Sequence, residues 1–119
     1  MARTILTASL ALAGLAYAAA HPTLQATPHV VRAGRIVHIS GRATGCPRID
    51  SVTVISGAFV KNRAHNFAGL GAVYLRQRAA HVFKGIAHIR LRARGRYPVT
   101  ARCGGANLGV ADHVRVTAP

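Results

Sequence analysis

The chain has 119 residues and a formal net charge of +14 at pH 7, with sixteen Lys and Arg against two acids, Asp50 and Asp112. Two carboxylates so far apart in sequence offer no pair for glycosidase-type hydrolysis, and no segment is long and apolar enough to span a bilayer as a stable helix. What remains is room for one small domain with one core, carrying a field that attracts polyanions and anionic surfaces.

Residues 1–20 read as a secretory signal peptide. Arg3 supplies the positive start and residues 5–15 an apolar run. Ala16-Tyr17-Ala18 and Ala18-Ala19-Ala20 both fit the small-x-small cleavage pattern, so cleavage after Ala18 or Ala20 is expected. The mature part, residues 21–119, then enters an oxidising space as one domain. There the pair Cys46 and Cys103 is expected to form a disulfide. No cysteine ends the signal and no hydrophobic tail follows, so the expected location is extracellular or within the cell envelope.

Residues 21–28 form a lead-in in which Pro22 and Pro28 exclude helix and suit an edge strand or an extended arm. Short β-rich runs follow. Val30-Val31 precedes the turn Arg32-Ala33-Gly34. Residues 36–40 put Val37 and Ile39 on one face, and residues 51–56 pair Val52 with Val54. Residues 57–71 are less regular and read as an excursion between strands. Residues 72–76 place Val73 with Leu75, and residues 82–94 make the longest alternating run. Residues 97–103 align Tyr97, Val99, Ala101 and Cys103, and residues 110–117 align Val114 with Val116. Period-two alternation with Gly-bearing breaks predicts an all-β antiparallel sandwich of about seven strands. A Cys46–Cys103 bridge would close a long loop, worth about 4 kcal/mol by chain entropy.

The spacing from Pro28, Val31 and Gly34 through Val37-His38-Ile39-Ser40-Gly41 and Cys46-Pro47 to Gly95-Arg96-Tyr97-Pro98-Val99-Thr100-Ala101-Arg102-Cys103-Gly104-Gly105 resembles the small secreted immunoglobulin-like sandwich domains of actinobacterial exported proteins. The resemblance covers nearly all of the mature chain. It implies a fold rather than an activity, because fold alone does not give function. Two features depart from antibody domains. There is no Trp to pack on the bridge, and Tyr97 lies six residues before Cys103 rather than the two of a tyrosine corner.

No nucleophile sits in a Gly-x-Ser-x-Gly turn, and the adjacent Asp112 and His113 would point to opposite faces of a strand. The expectation is therefore a non-enzymatic binding or structural module without a cofactor. Along residues 82–94 a straight strand would present His88, Arg90, Arg92 and Arg94 on one face, with Arg96 just beyond. Ala87, Ile89, Leu91 and Ala93 would face the core. Such a ridge suits an anionic wall polymer, acidic polysaccharide or anionic membrane surface, gripped by arginine forks. Nucleic acid fits less well, because aromatic stacking platforms are few.

A second reading concerns copper. Cleavage after Ala20 would make His21 terminal, offering amino and ring nitrogens to Cu(II). Secreted sandwich proteins such as CopC-like carriers and lytic polysaccharide monooxygenases use such a brace. His38, His65, His88 or His113 would complete it, although the Asp-x-His pair of the CopC-like carriers is absent.

Overall fold

The lead-in bounded by Pro22 and Pro28 forms the first strand and delivers the chain to the opposite sheet. It runs along one sheet edge as β1 (Thr23–Thr27), and the chain beyond Pro28 joins the other sheet as β2 (Val30–Arg32). The computed structural model describes residues 21–119, and the signal peptide expected over residues 1–20 lies outside them. The remaining strands are β3 (Ile36–Arg42), β4 (Val52–Ser56), β5 (Asn66–Phe67), β6 (Leu70–Leu75), β7 (Val82–His88), β8 (Gly95–Cys103) and β9 (Ala106–Thr117).

β1, β3 and β7 form a three-stranded antiparallel sheet. The second sheet has six strands in the order β2-β9-β8-β4-β6-β5. It is antiparallel except where β2 runs parallel to β9, pairing Val30 with Arg115 and Arg32 with Thr117. The described residues thus hold nine strands rather than about seven. The lead-in adds β1, and the irregular stretch after Gly57 adds the short β5, which pairs with β6.

The alternation read from the sequence places the core. Val37 and Ile39 of β3, with Phe83 and Ala87 of β7, share one buried cluster with Val52, Val54, Val99, Ala101, Val114 and Val116 of the larger sheet. Each fully buried Val, Ile or Phe side chain contributes roughly 1.5–3 kcal/mol relative to exposure. β4 is buried on both faces, Thr53 and Ile55 included, because it sits mid-sheet under the returning β5–β6 hairpin. Tyr74 Oη donates to the Asn66 carbonyl at 2.7 Å, and the Arg102 guanidinium lies 5.1 Å from the Phe67 ring centre.

The expected disulfide is present, with Cα atoms of Cys46 and Cys103 5.8 Å apart. It ties the β3–β4 connection to the end of β8. The buried Gln77 organises that connection. Its Nε2 donates to the Pro47 carbonyl at 2.7 Å and the Asp50 carbonyl at 3.0 Å, and it lies 3.1 Å from Cys46 Sγ.

The longest predicted run does not stay a strand. β7 stops at His88, Ile89 bridges to Phe59, and the chain turns over residues 90–93, where the Ala93 N–H donates to the Arg90 carbonyl at 3.2 Å. The longest strand is instead β9, with 12 residues. Leu91, expected in the core, is 68% exposed at this turn, while Ala87, Ile89 and Ala93 are buried as expected.

Candidate anion-binding site

Five chain segments meet at one end of the sandwich. The β2–β3 turn docks on the β7–β8 turn through Gly34 N–H to the Ile89 carbonyl (3.1 Å) and Ile89 N–H to the Arg35 carbonyl (2.8 Å). The end of β9 joins through Ala33 N–H to the Thr117 carbonyl (2.9 Å), and the segment after β4 through Arg90 N–H to the Ala58 carbonyl (2.8 Å). β8 starts here, with Gly95 opposite Val116.

Each of these segments except the one after β4 brings arginine. Arg32 and Arg35 come from the β2–β3 turn, Arg90, Arg92 and Arg94 from the β7–β8 turn, Arg96 from β8 and Arg115 from β9. All are exposed except the half-buried Arg90. His88 stands beside them at the end of β7, opposite Ile36. Neither acid pairs with these arginines, although Asp112 lines a concavity with Arg96. Asp50 lies by the disulfide at the far end, and Asp112 lies at the seam between the sheets. Among the described residues no arginine or lysine forms an ion pair; the carboxylate contacts present are those of His29 and His113 with Asp112.

The expected set of His88, Arg90, Arg92, Arg94 and Arg96 is therefore brought together, but not as a strand ridge. Arg90 folds inward. Its Nε donates to the Gly57 carbonyl at 2.8 Å and its guanidinium lies 5.9 Å from the Tyr97 ring centre. Arg94 staples the turn, with Nη1 donating to the Leu91 carbonyl at 2.9 Å and the Ala93 carbonyl at 2.6 Å. The Arg94 N–H in turn donates to Tyr97 Oη at 3.1 Å. Tyr97 thus bonds back to the chain three residues upstream, as a tyrosine corner does, despite its spacing from Cys103. A rigid turn results, with Arg92 at its tip. Arg32, Arg35 and Arg115 complete the cluster, and sequence reasoning missed them because they lie on the β2–β3 turn and on β9, remote in the chain. Only strand pairing places Arg115 opposite Arg96.

A second polar cluster surrounds Asp112. Its Oδ2 accepts the Ala26 N–H at 2.9 Å and its Oδ1 the His113 N–H at 2.8 Å, while His29 Nε2 lies 3.1–3.2 Å from the two oxygens and must be the donor. The His29 and His113 rings stack at 5.4 Å. Burial works to raise the Asp112 pKa, but the Ala26 and His113 N–H groups together with His29 outweigh it and hold the carboxyl below its ordinary value. Ala26 belongs to the edge strand β1, so Asp112 satisfies an otherwise open edge N–H and fixes the crossing from β1 to β2. Ser40 lines the same concavity as His29 and Asp112, yet the described residues contain no hydrogen bond between Ser40 and His29.

The strand register keeps three of the expected copper partners away from His21, which precedes β1 at the end where Thr23 pairs with Arg42: His38 pairs with Thr27, His88 with Ile36 and His113 with Pro98. His65 lies before β5 with Nδ1 3.1 Å from the Ala72 carbonyl, and the histidine at His21's end of the sheet is His81, just before Val82, with Nδ1 2.8 Å from Gln77 Oε1. Cys46, Asp50 and Cys103 do place their donor atoms within 4.8 Å of one another, but the two sulfurs are bonded together and offer no thiolate.

No protein-family model matches the chain, and no curated protein matches it. Among solved structures it is similar to the alkylpurine DNA glycosylase AlkC of Pseudomonas fluorescens, solved bound to DNA containing an abasic site analog. The match has a TM-score of 0.55 at 21% identity, covers 82% of this chain and spans 30% of that one. This likeness bears on the fold alone.

Proposed function

We propose that the protein is a secreted, non-enzymatic immunoglobulin-like module of the cell envelope or extracellular space that binds anionic partners through its arginine-rich end. The strand order supports the immunoglobulin-like assignment. β1-β3-β7 in one sheet and β9-β8-β4 in the other follow the A-B-E and G-F-C orders of that fold. The signal-peptide pattern and the disulfide support export.

The observation that carries the binding reading is the gathering of seven arginines, Arg32, Arg35, Arg90, Arg92, Arg94, Arg96 and Arg115, from remote parts of the chain, none paired with a carboxylate. Arg90 and Arg94 brace the turn through carbonyl contacts, which leaves Arg32, Arg35, Arg92, Arg96 and Arg115 to present forked donors for phosphate, sulfate or carboxylate. DNA is part of the structural neighbour's description, but the partner proposed for this chain follows from its own arginines.

The test is binding to polyphosphate at increasing salt. Affinity falls as salt screens the field. The triple variant Arg32→Ser, Arg92→Ser, Arg115→Ser loses binding. A charge-matched triple at the far end, Arg48→Ser, Arg76→Ser, Arg78→Ser, keeps it. Equal losses in the two variants would mean that net charge, not this end of the molecule, does the binding.

A further inference from the structure

Some of the exposed apolar side chains stand at the arginine-rich end. Leu91, 68% exposed, projects from the tip of the β7–β8 turn between Arg90 and Arg92. Its Cδ2 would lie 2.8 Å from a Cβ on Gly34, so the side chain rests over the neighbouring β2–β3 turn, between two rigid supports. Val30, 58% exposed, stands in the same cross-strand row as Arg115 and Arg96, and the exposed Ile36 stands opposite His88.

Each apolar group thus has a basic neighbour. A soluble polyanion has no use for an exposed leucine, whereas a bilayer surface has use for both components. Headgroup phosphates meet the arginines, and the boundary of the acyl region receives the apolar tip. One modest apolar contact does not hold a protein on a membrane, and neither does a weak basic patch, but two such signals together do.

We infer that the partner of this end is an anionic lipid surface, with Leu91 inserted among the headgroups and the arginines around it holding their phosphates. This rests on the anion-binding function proposed above and names its partner class. The far end supplies an internal control. Ile49 is 96% exposed there and stands between Arg48 and Asp50, away from the arginine cluster, so it tests whether an exposed apolar side chain with one basic neighbour is enough.

The test compares variants of the mature protein, residues 21–119, since the apolar run of residues 5–15 would bind lipid by itself. Binding is measured to vesicles of phosphatidylglycerol with phosphatidylcholine, to vesicles of phosphatidylcholine alone, and to soluble polyphosphate. The protein is expected to bind the anionic vesicles and leave the neutral ones. Leu91→Ser lowers vesicle binding about tenfold and leaves polyphosphate binding unchanged. Arg92→Ser lowers vesicle binding about fivefold and weakens polyphosphate binding as well. Ile49→Ser changes neither.

The chain contains no Trp, so Leu91→Trp introduces a single indole reporter. Its emission shifts to the blue on anionic vesicles. Unshifted emission, or a Leu91→Ser variant that binds vesicles like the parent, overturns the insertion. Polyphosphate binding without vesicle binding makes the partner a soluble polymer and leaves the anion-binding function standing. Loss of both removes the function itself.

Discussion

Arg96 of β8 and Arg115 of β9 stand directly opposite each other, on the same exposed face of the larger sheet, with no carboxylate paired to either. Like charges at facing positions repel, and natural sheets usually alternate sign there. The arrangement costs stability and is useful only to something that brings negative charge from outside. Arg96→Thr is therefore expected to stabilise the fold by about 0.5 kcal/mol at low salt while weakening polyphosphate binding. In 1 M salt, where the screening length is about 3 Å, the gain disappears. Urea unfolding at the two salt concentrations reads both effects.

Asp112 gives the fold a defined response to acid. Because its folded pKa is depressed, the ionised carboxylate contributes its full stabilisation above the ordinary value of 3.8 and loses it as pH falls through the lower folded value. Asp112→Ala leaves the Ala26 and His113 N–H groups without their acceptor. At neutral pH it costs about 2 kcal/mol, and the drop in stability below pH 4 flattens. Chemical unfolding followed from neutral pH down to pH 2 compares the variant with the parent. A variant with the same acid slope would place the sensitivity in another group.

Gln77 is the least conspicuous residue of importance, one polar side chain between Arg76 and Arg78. It is 6% exposed, it donates to two carbonyls of the disulfide-bearing connection, and its Oε1 lies 2.8 Å from His81 Nδ1. Gln77→Ala leaves these groups buried and unpaired, at a cost of about 2–3 kcal/mol. Gln77→Glu, which keeps the shape but cannot donate, loses nearly as much. Thermal unfolding with the disulfide intact measures the effect.

The disulfide joins positions 57 apart in sequence. Closing a loop of that length in the unfolded chain is worth about 4 kcal/mol, comparable to the whole stability of a small domain. Reduction is expected to lower the urea midpoint sharply without changing the identity of the strands, and Cys46→Ala with Cys103→Ala reproduces the reduced protein.

Period-two alternation made the core strands legible, since a residue pair such as Val37 and Ile39 has only one buried face available. The same rule misled at residues 88–94, where polar and apolar residues keep alternating through a turn. No Gly or Pro interrupts that stretch before Gly95, so nothing local marks the end of β7 at His88. The chain stops being a strand there because Ile89 docks against Phe59 and Arg35, partners that are distant in sequence. The arginine cluster was half visible for the same reason. Arg90, Arg92, Arg94 and Arg96 announce themselves by proximity, whereas Arg32, Arg35 and Arg115 join only through pairing of β2 and β8 with β9 and docking of the turns. Asp112 and His29 meet across 83 residues for a like reason, the sheet-to-sheet crossing at Pro28.

A surface with this many unpaired guanidiniums is never bare in water. Small anions crowd around it, and any multivalent partner displaces them into bulk solution, so arrival is driven largely by the entropy of the ions that leave. That driving force registers charge density and is nearly indifferent to chemical identity. Two neighbouring copies on one anionic surface also repel each other through the same ends, so the protein is expected to spread thinly rather than cluster. Discrimination between one polyanion and another then falls to the uncharged part of the tip, and a single exposed leucine has more say in the choice of partner than any one arginine beside it.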